Sequence, residues 1–238
     1  MKKVNIERLL RDVEFGFELE CIVPGIINHD QLRERLVDML PQFPYAVLSQ
    51  TQPATIKGSR RENFHLMFDE SIQADIFHPK WNPGKHHLTV EIVSPVFKID
   101  KIQNKEFCPL LKALRTLGAY TTKTCGIHIH MSISDVYASY PYLHKFLLAE
   151  AIKVFDNTTW KRRKKFCSPD NPAHRRHGLV NQCSQNHWEV RCFNGSLDDR
   201  AVSNAVWTCA RAFELFCEEL EGLTQKRVDI AQSMQLAV

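Results

Sequence analysis

The segment TCGIHIHMSIS, residues 124–134, places an imidazole at every second position of an otherwise apolar, β-branched run. Alternation with a period of two is typical of a β-strand whose two faces meet different surroundings. The strand predicted here has one face of Ile and Met side chains and a second face that carries His128 and His130. The fold therefore depends on what lies beside these two imidazoles.

Four more segments show the same alternation, and in each of them ionisable residues occupy the second face. These segments are VEFGFELECIV (13–23), NFHLMFDES (63–71), HLTVEIVSP (87–95) and NHWEVRCFNG (186–195). Their alternating ionisable residues are Glu14, Glu18, Glu20, His65, Asp69, Glu91, His187, Glu189 and Arg191. We therefore predict four or five strands, each with an apolar face and an ionisable face.

Apolar residues recur with helical spacing between these strands. The spacing predicts amphipathic helices in DQLRERLVDML (30–40), NKEFCPLLKALRTLG (104–118), PYLHKFLLAEAIKVF (141–155) and DDRAVSNAVWTCARAFELFCEEL (198–220). The predicted fold class is α+β, with a curved antiparallel sheet that forms a groove and helices packed on its opposite, apolar face. We expect one domain over residues 1–238, with a loosely attached C-terminal tail from about residue 222.

Composition excludes several classes of protein. The chain has 238 residues, 31 basic and 27 acidic side chains and a formal charge of +4, which does not by itself indicate a nucleic acid or membrane partner. Its eight cysteines form no CxxC pair, so a zinc ribbon and a thioredoxin-type site are disfavoured. No stretch approaches the roughly 20 apolar residues of a membrane span. We expect a cytoplasmic protein with reduced thiols and no membrane contact.

The ionisable face has two interpretations. On any single strand, alternating charges are typical of a solvated outer face. Taken together, however, these positions carry mostly Glu and His with one Arg, which are residue types that ligate metals. Carboxylates that share one groove repel each other unless cations are present, and oxygen ligands with few imidazoles favour Mg²⁺ or Mn²⁺ over zinc. Such a groove is suited to phosphates.

Four motifs resemble a known superfamily. FGFELE (15–20), EIVSP (91–95), CGIHIHMSIS (125–134) and WEVRCFNGSLD (188–198) are similar, in order and spacing, to the motifs of the glutamine synthetase and glutamate–cysteine ligase superfamily, in particular its small amidoligase branch. The resemblance extends over roughly residues 13 to 220. It implies a catalytic-domain fold like that of glutamine synthetase, in which strand-borne Glu and His hold divalent cations around ATP.

The resemblance also implies roles for individual residues. The implied metal ligands are Glu18, Glu20, Glu91, His128 and Glu189. His130 resembles a residue that contacts the nucleotide phosphates, and Arg191 resembles the catalytic arginine that meets the transferring phosphoryl group. Arg175 and Arg176 lie where relatives carry a nucleotide-binding arginine, and the sequence does not distinguish between them. FDES (68–71) replaces an Asp-Gly-Ser of the family, which leaves the roles of Asp69 and Ser71 open.

The implied activity is an ATP-dependent carboxylate–amine ligase that forms an amide or isopeptide bond through an acyl phosphate. Its cofactors would be ATP with Mg²⁺ or Mn²⁺, and its partners small-molecule or peptide carboxylates and amines. Two alternatives stay open. One is a zinc or manganese hydrolase that uses the HxH strand. The other is a non-catalytic module that binds nucleic acid through the basic run Lys161 to Lys165.

Overall fold

One mixed, unclosed sheet of seven strands organises the chain. The computed structural model describes residues 5–49, 62–138, 142–155 and 178–235. The strand order is β2-β3-β4-β1-β5-β7-β6. The strands are β1 (Val13–Pro24), β2 (Val47–Ser49), β3 (Phe64–Met67), β4 (His87–Val93), β5 (Gly126–Ile133), β6 (Val180–Ser184) and β7 (His187–Asn194).

Strand β1 is the centre of this sheet. It pairs antiparallel with β4 on one side and with β5 on the other. β5 in turn pairs antiparallel with β7, and β7 with β6. The prediction of a purely antiparallel sheet was wrong at one edge, because β2 pairs parallel with β3. β2 is three residues long, and side-chain alternation reports the two faces of a strand, not whether it pairs parallel or antiparallel.

The helices of the described residues are α1 (Ile6–Asp12), α2 (His29–Met39), α3 (Ile99–Gln103), α4 (Cys108–Thr116), α5 (Asp135–Ala138), α6 (Leu143–Phe155) and α7 (Asp199–Gln235). Local chemistry sets several of their ends. The side chains of Asn5 and Asn28 accept hydrogen bonds from the first turns of α1 and α2. Gly118, at φ +83°, ends the segment after α4 in the left-handed conformation that glycine adopts at low cost.

One hydrophobic core joins the apolar face of the sheet to the helices. Phe17 of β1 packs against Phe64, Phe97 and Phe107, with ring centroids 5.5–6.1 Å apart. The same core contains buried side chains from α1, α2, α4, α6 and α7. The helices therefore cover the apolar face, and the ionisable face stays available. Phe68 was predicted on the apolar face, but it lies beyond the end of β3 and is 64% exposed.

Several sequence predictions concern the remaining parts of the chain. α7 continues through residue 222 to Gln235, where a loose tail was predicted, and its side chains from 221 to 226 are exposed. Arg175, Arg176 and the run Lys161 to Lys165 lie outside the described residues. None of the helices within the described ranges combines the length and apolar character that crossing a membrane requires.

Candidate active site

Strand register brings the predicted site residues together on one face of the sheet. Glu18 of β1 lies opposite His128 of β5. Two further cross-strand pairs follow from the same register, Glu20 with Glu91 and His130 with Glu189. Side chains of directly paired residues stand roughly 5 Å apart on the same face. The register therefore builds a single cluster from four neighbouring strands, β4, β1, β5 and β7.

His128 lies at the centre of this cluster and is only 2% exposed. Its Nδ1 atom is 3.2 Å from Oε2 of Glu18 and 3.5 Å from Oε1 of Glu189. Its Nε2 atom is 3.4 Å from Oε1 of Glu20. One imidazole thus contacts three carboxylates and separates charges that would otherwise repel each other across the strands.

Glu18, His130 and Glu189 form a first group of candidate metal ligands. Each offers one ligand atom, and these atoms lie within 4.8 Å of one another. Burial opposes ionisation of Glu18, but His130 and His128 outweigh it and hold the pKa of Glu18 well below its usual range. Burial also disfavours a charged His130, yet the Glu18 carboxylate 3.1 Å from its Nε2 atom raises the pKa of the imidazole.

Glu20, Asp69 and Glu91 form a second group, whose ligand atoms also lie within 4.8 Å of one another. The backbone N–H of Gly126 donates a 2.6 Å hydrogen bond to Oε2 of Glu20. Both the backbone N–H and the hydroxyl of Ser71 donate to Asp69, at 2.7 and 3.0 Å. These donors orient two of the three carboxylates before any cation is present.

Crowding of carboxylates has a clear effect on Glu91. Burial, followed by the charges of Glu18, Asp69 and Glu20, raises the pKa of Glu91 to about 9, and Arg191 offsets part of this rise. Without a bound cation, Glu91 is therefore expected to keep a proton at neutral pH. A divalent cation in the second group would replace that proton with positive charge.

Arg191 lies beside the first group, where β7 is irregular. Its Nη1 atom is 2.6 Å from Oε1 of Glu189. The register between β5 and β7 shifts between Ile127 and Ile129, so β7 has one extra residue in the region that contains Arg191. Bulges of this kind re-aim side chains and are common beside active sites. Oε2 of Glu189 accepts a 3.0 Å hydrogen bond from Nδ2 of Asn181 on β6.

A chain of hydrogen bonds leads from the first group to the edge of the cluster. Nδ1 of His130 is 3.1 Å from Nε2 of His187, and the two rings stack with centroids 5.2 Å apart. Nδ1 of His187 is in turn 2.8 Å from the hydroxyl oxygen of Ser132. His187 and Ser132 are directly paired across β7 and β5.

The structure places most of the predicted site residues in this cluster. Glu18, Glu20, Glu91, His128, His130, Glu189 and Arg191 all lie on the one face. The sequence left the roles of Asp69 and Ser71 open; Asp69 belongs to the second group, and Ser71 donates hydrogen bonds to it. Sequence reasoning did not assign Asn181 or His187. His187 alternates with Glu189 in the β7 pattern, which was an available signal, whereas a lone Asn at the start of an edge strand offered none.

The candidate metal ligands are of a type that suits hard divalent cations. Five of the six grouped ligands are carboxylates and the sixth is an imidazole. Oxygen-rich sets of this kind suit Mg²⁺ or Mn²⁺, while structural zinc sites use Cys and His. Two adjacent groups on one rigid sheet, with a guanidinium beside them, can bind a polyphosphate through two cations and one arginine.

A protein-family model matches most of the chain. Residues 11–185 match the model of a family described as "Putative amidoligase enzyme". The match includes every strand of the cluster except β7, which carries Glu189 and Arg191. No curated protein matches the chain. Because the matched residues make up well over half of the chain, the protein belongs to this amidoligase family, whose name suggests a ligase activity.

Proposed function

We propose that the protein is an ATP-dependent carboxylate–amine ligase. The observation that carries this proposal is the pair of adjacent ligand groups, Glu18 with His130 and Glu189, and Glu20 with Asp69 and Glu91, on one face of the sheet. The two groups consist of different side chains, so each of them can hold its own cation. Two or more cations with an arginine are typical of phosphoryl transfer from a nucleoside triphosphate.

The proposed reaction has two steps. A carboxylate oxygen of the acid substrate attacks the γ-phosphorus of ATP, the bond to the β-phosphate oxygen breaks, and an acyl phosphate and ADP are formed. The amine substrate then attacks the acyl carbon, inorganic phosphate leaves, and the amine loses a proton to give the amide or isopeptide bond. No covalent bond to the protein is needed, so the site works by positioning and charge neutralisation.

The ligand groups position the substrates in this proposal. Bound divalent cations would neutralise the phosphate charge and polarise the transferring phosphoryl group. Hydrogen bonds from Gly126 and Ser71 already orient the carboxylates of Glu20 and Asp69. Cation binding therefore costs these side chains little further conformational entropy. The His128 imidazole keeps Glu18, Glu20 and Glu189 at fixed separations, and we retain its predicted role as a further ligand as part of the proposal.

Arg191 has a different role from the ligands. Its planar guanidinium can meet two phosphoryl oxygens at once, and the bulge in β7 sets its direction. Glu189 contacts Arg191 at 2.6 Å and belongs to the first ligand group, so a bound cation and the arginine would share one carboxylate. In the proposed arrangement, the positive charge of Arg191 would lie next to the phosphoryl group that the cation polarises.

Nucleotide binding tests the proposal before any substrate is known. ATP should raise the melting temperature of the protein in Mg²⁺ or Mn²⁺ and change it little in EDTA, because a polyphosphate cannot approach a carboxylate-lined face without cations. Asp69→Asn, which removes one ligand charge from the second group, should reduce the shift. A shift of equal size in EDTA would contradict the cation-bridged arrangement.

A product screen would then identify the substrates. Pools of carboxylates, amines and short peptides are incubated with γ-labelled ATP, and new amides are sought together with ADP release. Hydroxylamine should trap an acyl phosphate as a hydroxamate. Tightly bound zinc without ATP binding would instead favour the hydrolase, and the absence of both would favour a binding module.

We further propose that the sheet is a glutamine synthetase-type catalytic domain.

A further inference from the structure

Two residues of β7 are fastened to one short segment at the start of the edge strand β6. Asn181 lies directly opposite Glu189 in the register of these strands, so their side chains share a face. Nδ2 of Asn181 donates a 3.0 Å hydrogen bond to Oε2 of Glu189. Two residues earlier, the carbonyl oxygen of Leu179 accepts a 2.9 Å hydrogen bond from the backbone N–H of Arg191. Residues 179–181 therefore contact both Glu189 and Arg191.

The Asn181 side chain is itself held in place. Leu179 and Val180, which precede it, are 1% and 7% exposed and belong to the hydrophobic core. This packing fixes the backbone from which the Asn181 side chain extends. On its far side, Oδ1 of Asn181 lies close to Gly178, where an added Cβ would be only 3.0 Å from it. The amide thus fits between Gly178 and Glu189, with its oxygen towards the first and its nitrogen towards the second.

The two carboxylate oxygens of Glu189 have different partners. Oε1 is 2.6 Å from Nη1 of Arg191 and 3.5 Å from Nδ1 of His128. Oε2 accepts the hydrogen bond from Asn181. Apart from an exchange of the two equivalent oxygens, any large rotation of the carboxylate about its last side-chain bond would break at least one of these contacts. Asn181 and Arg191 together therefore fix the plane of the carboxylate.

We propose that Asn181 is a positioning residue that orients the Glu189 carboxylate for cation binding in the first ligand group. Glu189 offers one ligand atom to this group, together with Glu18 and His130. Hydrogen-bond partners of metal-ligating carboxylates orient them, and loss of such a partner typically lowers metal affinity or activity by about 10- to 100-fold. The inference rests on the proposed function, because it assigns a cation to the first group.

Each ligand group has its own orienting donors. Gly126 and Ser71 donate to Glu20 and Asp69, which belong to the second group. Asn181 donates to the first group alone. Loss of the Asn181 amide should therefore weaken one cation site and leave the other unchanged, whereas a general disturbance of the sheet would weaken both.

Mn²⁺ binding to the nucleotide-free protein tests this selectivity. Calorimetry, together with the paramagnetic resonance signal of unbound Mn²⁺, gives the affinity of each site. Glu189→Gln identifies the first group by its loss of affinity, and Asp69→Asn identifies the second. Asn181→Leu keeps the approximate size of the side chain but cannot donate a hydrogen bond. It should weaken Mn²⁺ binding at the first group by about 10- to 100-fold and leave the second group unchanged.

Gln182→Leu is the matched control. It removes an amide from the next residue of β6, whose side chain is exposed and lies on the opposite face, so it should bind Mn²⁺ as the wild type does. The proposal is wrong if Asn181→Leu keeps wild-type affinity at the first group, or if it weakens both groups equally. It is also wrong if Gln182→Leu has the same effect as Asn181→Leu, or if the wild-type first group binds no Mn²⁺.

Two further variants separate the donor from packing. Asn181→Gln retains an amide donor and should bind Mn²⁺ at the first group more tightly than Asn181→Leu. Equal affinities would show that the amide does not orient Glu189. Asn181→Ala takes the place of Asn181→Leu if that variant does not fold, with the same expected loss. Circular dichroism and melting curves establish that each variant is folded before its affinity is interpreted.

Turnover offers a second readout once a substrate pair is known. Asn181→Leu should raise the Mg²⁺ concentration needed for half-maximal ADP release by about 10- to 100-fold. The value of kcat at saturating Mg²⁺ should stay close to wild type, because the backbone contact between Leu179 and Arg191 is kept. A lower kcat with a normal Mg²⁺ requirement would contradict the inference. Mn²⁺ binding needs neither nucleotide nor substrate, so a failure of the ligase proposal would be seen separately, as an absence of ATP binding.

Discussion

Glu91→Gln should remove a large part of the pH dependence of stability in cation-free protein. Burial and three neighbouring carboxylates raise the pKa of Glu91 from 4.5 to about 9. The folded protein therefore keeps a proton on Glu91 between these values, whereas the unfolded chain has already released it. Stability contributed by that proton is present at low pH and is lost as the pH rises towards 9.

The magnitude follows from the linkage relation. A group that holds one more proton in the folded state lowers the free energy of unfolding by about 1.4 kcal/mol for each pH unit. Because Glu91 is only partly buried, we reduce this to about 1 kcal/mol per unit. Between pH 6 and pH 8, wild-type protein should lose about 2 kcal/mol more stability than Glu91→Gln does.

The assay is urea unfolding in EDTA, monitored by tryptophan fluorescence, to which the buried Trp188 on β7 contributes. The pKa of His130 is also raised, so His130 also lowers the free energy of unfolding as the pH rises. The effect of Glu91 is therefore the difference between wild type and variant in the slope of the free energy of unfolding against pH. Glu34→Gln on α2, where the side chain is 66% exposed, is the control for removing one carboxylate. Equal slopes for wild type and Glu91→Gln would refute the crowding argument.

Adding Mg²⁺ or Mn²⁺ separates crowding from ligation. A cation bound to Glu20, Asp69 and Glu91 replaces the proton, so the extra slope of the wild type should shrink towards that of Glu91→Gln. Cation binding should also release a proton near neutral pH, which calorimetry in buffers of different ionisation enthalpy detects. If the slope in EDTA behaves as expected but cations leave it unchanged, Glu91 is crowded but is not a ligand.

Three further predictions concern neighbouring parts of the molecule. Glu189→Gln should raise the Mg²⁺ requirement of ADP release, whereas Arg191→Lys should lower kcat by about 10²- to 10³-fold with normal Mg²⁺ dependence; normal behaviour of both would refute the assigned roles. Gly195→Ala should cost about 1–3 kcal/mol in urea unfolding, because its added Cβ would lie 2.6 Å from Cβ of Cys125; unchanged stability would contradict this packing. Replacing Lys161 to Lys165 with Ser and Gln should leave the ATP-induced melting shift intact, and its loss would place the run in the site.

The ionisable face could be predicted from sequence because alternation is a local property. Residues two apart on a strand share a face whatever that strand pairs with, so Glu18 and Glu20, or His128 and His130, were bound to point the same way. Their agreement across several strands indicated a common groove. The same reasoning predicted helices in the four segments where α2, α4, α6 and α7 lie.

Register and irregular backbone could not be predicted in this way. The register of strand pairing decides which residues lie opposite each other. It places Glu20 opposite Glu91 and His130 opposite Glu189, and alternation within one strand does not determine it. The bulge beside Arg191 has no signature in an alternating sequence. Asp69 was predicted on the ionisable face of the segment 63–71, but it lies just after the end of β3, and only the folded chain brings it to Glu20. Sites assembled from loops and bulges are visible only once tertiary contacts exist.

The ionisable face also shows why this sheet favours a function over stability. Apolar side chains at the same positions would pack without electrostatic cost, whereas here one buried imidazole, His128, has to separate three carboxylates. The same crowding raises the pKa of a fourth carboxylate, Glu91, to about 9. Four buried or partly buried glutamates, Glu18, Glu20, Glu91 and Glu189, thus lie together on this one face. A concentration of like charge that bound cations would relieve is what selection for cation and phosphate binding would produce.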